Sequence, residues 1–507
     1  MSVVLGLDIG TSGAKAIAMD ETGRLLASAL VEYPLGSPKP GWAEQDPADW
    51  ERAAFEALAT LASRVDTSRV KGIGLTGQMH GSVFLDAENR VIRPAILWCD
   101  QRTAAQCDWI TEKVGATRLI EMVSNPALTG FTAPKIIWLR DEEPAHYVRT
   151  RKVLLPKDYI RFVLTGTYAT DVADASGTLL FDVKNRCWHR ELMSLLGIDP
   201  EWMPPAFEGP EITGHLTAAA AAKTGLPAGI PVVAGGGDQA ANGVGCGIVR
   251  RGVVSASLGT SGVVFAHAEQ VSTDPEGRLH TFCHAVPGAW HIMGVVLSAG
   301  GALQWFRNAL WQEAWAAAKA EGREIYEEIT AAAAGAPAGS EGLLFLPYLT
   351  GERTPHKDPF ARGAFVGLSL RHDRRYLSRA VLEGVAYAMN DSAVLIRNMG
   401  VPVDQVRCSG GGARSRLWRQ IMADVIDAPM ITINVDEGPA YGAAILAAVA
   451  SGLYGTVEEA CDAIIREVDR VEPDAANQVT YAKWFEAYQA LFRALAPEYR
   501  RIHGLLD

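Results

Sequence analysis

Two aspartates stand where an apolar run gives way to a glycine-rich turn. Asp8 follows the run Val3 to Leu7 and opens DIGTSGAK, Asp8 to Lys15. Asp238 follows Ile230 to Ala234 and lies within GGGDQAANGVGCG, Gly235 to Gly247. Phosphoryl transfer to an alcohol needs a carboxylate that accepts the hydroxyl proton and aims the oxygen. Asp238 is the candidate for that base, with capping of the following helix as the alternative. Asp8 is the candidate for holding Mg2+, which binds through few carboxylates and keeps several waters. Its alternative is a turn-forming aspartate.

The turn beside Asp8 occurs twice. SLGTSGVV, Ser257 to Val264, repeats it behind a second apolar run, Val253 to Ala256, but without the aspartate. A Gly-Thr-Ser-Gly turn presents backbone N–H groups and two hydroxyls at one point, which suits phosphate oxygens. Two copies in two lobes predict two hairpins facing each other across a cleft and gripping one polyphosphate. A carboxylate at Ser257 would repel those phosphates, so one aspartate, at the Asp8 side, is expected. Competing nucleotide motifs fail: there is no G-x-x-x-x-G-K-[ST]. GIGLTG, Gly72 to Gly77, is followed by QMHGSVFLD, a loop and strand pattern, where a dinucleotide fold requires a helix.

Gln78, Met79 and His80 sit in a glycine-flanked loop suited to hydroxyl recognition, although a core histidine fits equally. In ILWCDQRT, Trp98 can stack on an apolar sugar face. Asp100 can accept hydroxyl hydrogens or form a structural pair with Arg102. SGGGARS, Ser409 to Ser415, lets backbone lie against a flat base. GERTPHKDP, Gly351 to Pro359, reads as cleft lining or as plain surface.

The elements that must position these groups follow from periodicity. Val3–Leu7, Ala14–Met19 and Leu25–Val31 read as an antiparallel meander. Pro47–Val65 carries a helical apolar face, and strands return at Val70–Leu75 and Ser82–Leu85. After Gly247 the order repeats: a meander from Val253, helices at Leu297–Gly335 and Arg375–Asn398, then strands at Gln405–Ser409 and Met430–Ile433. This predicts an α/β chain of two lobes, residues 1–247 and 248–507. The terminal helix, Tyr481–Leu495, fits either lobe.

The 507 residues carry a net charge of −11 with no basic block, so a nucleic-acid footprint is absent. Seven cysteines without a C-x-x-C pair read as reduced thiols of a cytosolic enzyme, not a disulfide frame or zinc site. Residues around Ala440–Ala450 are too short and small a run to span a bilayer and read as a buried helix. A strand carrying Asp8 at the start argues against a signal peptide.

Along nearly the whole chain, DIGTSGAK, GWAEQDP, GQMHG, RPAILWCDQR, GFTAPK, LLPKDY, GGGDQAANGVG, SLGTSG, LPYLTGERTPH and GGGARS resemble the FGGY carbohydrate kinases. The resemblance implies a duplicated actin/hexokinase-like (ribonuclease H-like) ATPase fold with a central cleft, ATP and Mg2+. It implies Asp238 as catalytic base, and Asp8 as the second catalytic residue, near Mg2+ through water. Gln78, Met79, His80, Trp98, Asp100, Asp238 and Gln239 form the expected sugar-contacting set. Thr11, Ser12, Lys15, Gly259, Thr260 and Gly300 are expected at ATP, with Gly411, Gly412 and Ala413 at its adenosine. Relatives often have Asn where this chain has Cys99, which bears on sugar selectivity. The expected reaction is phosphorylation of D-xylulose at O5. Alternatives are ribulose, xylitol or arabitol as substrate, or an actin-like chaperone or filament ATPase, against which GQMHG and Asp238 weigh. A homodimer is implied by the resemblance alone.

Overall fold

The computed structural model describes residues 2–505. The chain forms two compact units. The first runs up to Arg250 and regains His267–His291 and Glu437–Ile465; the second holds Arg251–Ala266, Ile292–Asp436 and the chain from Arg466 on.

In the first unit, β1 (Val3–Ile9), β2 (Gly13–Asp20) and β3 (Leu25–Glu32) form the expected antiparallel meander. β4 (Val70–Gly77) pairs parallel with β1, followed across the sheet by β6 (Pro231–Val233) and β5 (Ile212–His215). β1 is covered on both faces. Leu5 and Leu7 join the core of the helix Pro47–Ala62, whose Trp50, Ala53, Leu58 and Leu61 are buried. The residue between them, Gly6, faces the other way. A Cβ on Gly6 would lie 1.9 Å from the Ala440 carbonyl oxygen, and one on Gly74 would lie 1.8 Å from that of Ala443. The helix Pro439–Ala450 therefore lies directly on bare strand backbone. Its composition, PAYGAAILAAVA, makes that approach feasible and accounts for its burial. Part of the second sequence half thus completes the first unit.

The second unit repeats the plan. β7 (Gly252–Leu258) pairs antiparallel with β8 (Gly262–Ala268) and parallel with β10 (Val403–Ser409). The order β9-β8-β7-β10-β11-β12 is completed by β9 (Trp290–Val296), β11 (Met430–Ile433) and β12 (Glu467–Val471). The terminal helix, Ala475–His503, belongs to this unit. Its Tyr481 hydroxyl donates to Glu383 at 2.8 Å, and Tyr488 meets Tyr348 at 2.6 Å. Mixed sheets with β1 and β7 at corresponding places make the molecule α/β and duplicated. Among the described residues, no helix is long and apolar enough to cross a membrane.

Candidate active site

Asp8, the last residue but one of β1, lies opposite Lys15. Its Oδ1 is buried and has no hydrogen-bond partner. Burial, reinforced by the charge of Asp238 and opposed by Lys15, pushes its carboxyl up to about 7. The two aspartates that sequence singled out therefore lie within each other's field. Asp238 is the first residue of the helix Asp238–Gly245, after Gly237, and no side chain caps that helix. The capping alternative for Asp238 thus falls away. Burial pushes its carboxyl up to about 6 against hydrogen bonds from Gln239, whose side-chain amide donates to Oδ1 at 3.4 Å.

The Gln78-Met79-His80 loop is packed against the residues around Asp238. A Cβ on Gly237 would fall 2.7 Å from Cγ of Met79, which is buried. His80 takes a left-handed backbone (φ 68°), a costly conformation for a non-glycine residue. Its carbonyl accepts from Lys135 Nζ at 2.8 Å and Thr132 Oγ1 at 3.1 Å, and its Nδ1 donates to the Gly177 carbonyl at 2.7 Å. That bond fixes the tautomer and leaves Nε2 as the acceptor in the neutral ring. Lys135 is fully buried, and desolvation lowers its ammonium to about 7, opposed by Asp100. Sequence reading missed Lys135 and Thr132; the signal was present in GFTAPK, but only the fold brings that helix to His80.

The first Gly-Thr-Ser-Gly turn is tied to the same loop. Gln78 Nε2 donates to Gln45 Oε1 at 2.9 Å, and Thr11 Oγ1 donates to Gln78 Oε1 at 3.3 Å. Trp98 Nε1 donates to Thr11 Oγ1 at 3.0 Å with its ring still 41% exposed. Ser12 is exposed at the tip. Lys15 pairs with Glu437 at 2.7 Å, a partner no local pattern announces.

Asp100 is a correction. It is fully buried and accepts from Ala43 N (2.6 Å), from Arg102 N (2.9 Å) and from the Arg102 guanidinium at 2.9 and 2.7 Å. No oxygen is left for a sugar, so the structural Asp100–Arg102 pair is the reading that holds. Behind this region lies a buried charge cluster. Lys157 Nζ stands 2.5 Å from Asp158, 2.6 Å from Asp171 and 3.5 Å from Asp174. Burial holds Asp174 well above the carboxylate range, and the like charge of Asp238 contributes.

The second unit has a cavity of about 530 Å3, within the range of small-molecule sites. Gly259, Thr260, Gly300, Gly411 and Gly412 all line it, so the fold gathers residues scattered over more than 150 positions. Ala413 is buried beside them. Tyr326, Glu327, Arg414 and Trp418 also line the cavity and escaped sequence reading, because nothing local marks a tyrosine or tryptophan on a helix as ligand-facing. Bare glycine backbone, backed at Gly412 by the buried Trp418 ring, suits a flat base. Among the described residues no cluster of three His, Cys, Asp or Glu could hold a metal alone.

Comparisons with known proteins identify the family. The model of the FGGY family of carbohydrate kinases, N-terminal domain, matches residues 3–245, and that of the C-terminal domain matches residues 254–451. The xylulose kinase of Escherichia coli (strain K12) is 41% identical over 494 residues, 97% of this chain and 99% of that one. The xylulose kinase of Bacillus subtilis (strain 168) is 38% identical over 494 residues, 97% of each chain. The solved structure of xylulose kinase from Rhodospirillum rubrum has a TM-score of 0.91 at 34% identity, covering 98% of this chain and 100% of that one. The chain belongs to the FGGY family of carbohydrate kinases. It is accordingly a sugar kinase that takes ATP as a substrate, on the actin/hexokinase-like fold.

Proposed function

We propose that this kinase transfers the terminal phosphate of ATP to O5 of D-xylulose, giving D-xylulose 5-phosphate. The observation that carries the reading is the packing of Gly237, the neighbour of the desolvated Asp238, against Met79 of the Gln78-Met79-His80 loop. The xylulose kinases at 38–41% identity over nearly the whole chain support the choice of sugar.

In this reading Asp238 is the base. Held at about 6, its carboxyl is ionised at neutral pH and more basic than an ordinary aspartate. It accepts the O5 proton as O5 bonds to the γ-phosphorus and the bond to the bridging oxygen breaks, releasing ADP. Met79, His80, Gln78, Gln239 and the exposed Trp98 ring orient the sugar. Thr11, Ser12, Gly259 and Thr260 donate to the phosphates, Gly300, Gly411, Gly412 and Ala413 border the adenosine, and Lys15 fixes the first hairpin through Glu437. Asp8 fits Mg2+: a buried carboxylate oxygen without a partner, in the field of a second aspartate, is the environment a cation relieves. Held there through water, Mg2+ would supply neutralisation of phosphate charge. Residues 1–247 act as the sugar-binding domain, completed by the Glu437–Ile465 segment, and 248–507 as the nucleotide-binding domain. We place the enzyme in the cytoplasm on its free cysteines; a homodimer rests on the family resemblance alone.

A coupled ADP-release assay against D-xylulose, ribulose, xylitol and arabitol tests the substrate. D-xylulose should give the highest kcat/KM; a higher value for another sugar would transfer the reading to it. Asp238→Asn should lower kcat by about 10^3-fold, the size expected for a lost general base, with ATP KM within about twofold. Retained turnover would remove Asp238 as the base.

A further inference from the structure

The loop Gly351–Pro359 is not plain surface. Glu352, Thr354 and Asp358 within it are buried. Glu352 and Asp358 bond backbone to backbone at 2.9 Å in both directions, and the Asp358 carboxylate is held by Arg500 of the terminal helix at 2.9 Å. The loop is a closed, anchored body.

Its bonds are directed at one short stretch. Thr354 N donates to the Val295 carbonyl at 3.0 Å, and Val295 N donates to Thr354 Oγ1 at 3.1 Å. Ser298 Oγ lies 3.2 Å from Thr350 Oγ1. Glu352 Oε1 accepts from Leu297 N at 2.9 Å and from Arg353 N at 2.7 Å. The chain leaving Leu297 reaches Ala299, Gly300 and Gly301 within four residues. Ala299 N and Gly301 N donate to the Thr260 carbonyl at 2.9 Å each, and Gly300 N donates to the Gly259 carbonyl at 2.7 Å. A Cβ on Gly300 would sit 2.5 Å from that Gly259 oxygen. The height of the second Gly-Thr-Ser-Gly turn is therefore set by the turn at Ala299–Gly301, which is set in turn by the loop.

We propose that Glu352 is a positioning residue for nucleotide binding. Through Leu297 it holds the Ala299–Gly301 turn, and hence Gly259 and Thr260, at the wall of the cavity in the second unit. The proposal rests on the reading of that cavity as the nucleotide site. A buried carboxyl is well placed for the role, since it has an acceptor for two backbone donors and a rigid attachment. Its Oε2 has no partner, and burial pushes the group up to about 8, with Asp391 adding and Arg353 opposing. At neutral pH it acts as a neutral acceptor, which glutamine can imitate.

The test compares Glu352→Ala and Glu352→Gln in the full enzyme, reading KM for ATP and for the sugar, and binding of MgADP by calorimetry. Glu352→Ala should weaken ATP KM and ADP affinity about tenfold while sugar KM stays within twofold, and Glu352→Gln should restore both nucleotide values to within about threefold of the parent. An unchanged nucleotide affinity in Glu352→Ala, or equal losses for both substrates, overturns the proposal. If Glu352→Ala does not fold, Thr350→Val, an exposed position, reads the same chain: a rise in ATP KM alone supports it, no change overturns it. Gly411→Leu separates the two ideas. Gly411 lines the cavity with open space at its Cβ, so leucine should block the nucleotide. Undiminished ADP binding in Gly411→Leu would refute the cavity reading itself, whatever Glu352 does.

Discussion

The turn Gly10–Gly13 and its copy Gly259–Gly262 share four residues and are held in opposite ways. Side chains from distant segments hold the first. Tyr33 donates to the Gly10 carbonyl at 2.5 Å, Gln45 to the Thr11 carbonyl at 2.7 Å, and Trp98 to the Thr11 hydroxyl at 3.0 Å. The backbone N–H groups of Ala299, Gly300 and Gly301 grip the second. Strand register differs too. Asp8 pairs with Lys15 and Ile9 with Ala14, whereas Ser257 pairs with Val263 and Leu258 with Gly262. Aligned copies are thus slipped by one residue, and the second loop closes one residue shorter. Served by side chains, the tetrapeptide is tied to the Gln78-Met79-His80 loop through Gln78, which in the proposed function links phosphate contact to the sugar. Served by backbone, it couples only to a neighbouring turn.

The most damaging way to break this comparison exchanges its charges. Asp8→Asn should lower kcat by about 10^3-fold, the size of a lost electrostatic contribution to the transition state. Ser257→Asp should raise ATP KM about tenfold with sugar KM unchanged, because a second carboxylate would face phosphate. An active Asp8→Asn together with a tolerated Ser257→Asp would make the asymmetry inconsequential. Thermal unfolding gives an independent reading. A carboxyl raised in the folded state binds its proton more tightly there than when unfolded, so it weakens the fold as pH rises through the window from about 4 to about 7. Asp8→Asn should therefore melt above the parent at pH 7, with the gap closing toward pH 4.

The hairpins, both meanders and the glycine run before Asp238 were legible in the sequence because each is written in a short window of apolar alternation and turn residues. Asp100 was legible only as a pair of alternatives. Choosing between them required Ala43 N, which lies 57 positions away and uses an oxygen that a sugar would need. The ion pair of Lys15, a residue expected at ATP, could not be read: its partner Glu437 lies 422 positions on, in a segment that the half-and-half division assigned to the other lobe. The helix Pro439–Ala450 shows why. Its small residues announce close packing, but not against which backbone. Glu352 failed similarly, since a charged loop pattern carries no information about burial.

The pH dependence of turnover sharpens the comparison on a smaller scale. Asp238 must be ionised to accept the proton, and its carboxyl is held at about 6. Turnover at saturating substrates should fall about tenfold per pH unit below that value, as the protonated form takes over, and should level off above pH 7. Asp8, raised to about 7 and proposed beside Mg2+, titrates in a neighbouring window, so MgADP affinity separates the two aspartates. A decline below pH 7 that disappears in Asp8→Asn assigns that step to Asp8, and one that persists assigns it to another group.

The smallest expected effect isolates one strut of the first turn. Trp98 combines an exposed ring with an N–H bonded to the Thr11 hydroxyl, so in the proposed function it meets sugar and turn through different atoms. Trp98→Phe keeps the ring face and removes the N–H, a loss of about 1 kcal/mol, or about fivefold. It should raise ATP KM by up to that amount and leave sugar KM within twofold. Trp98→Ala should raise both, since the stacking face goes as well. If Trp98→Phe instead raised only the sugar KM, Thr11 would not be transmitting the bond to phosphate. The first turn would then be held, like the second, by its backbone.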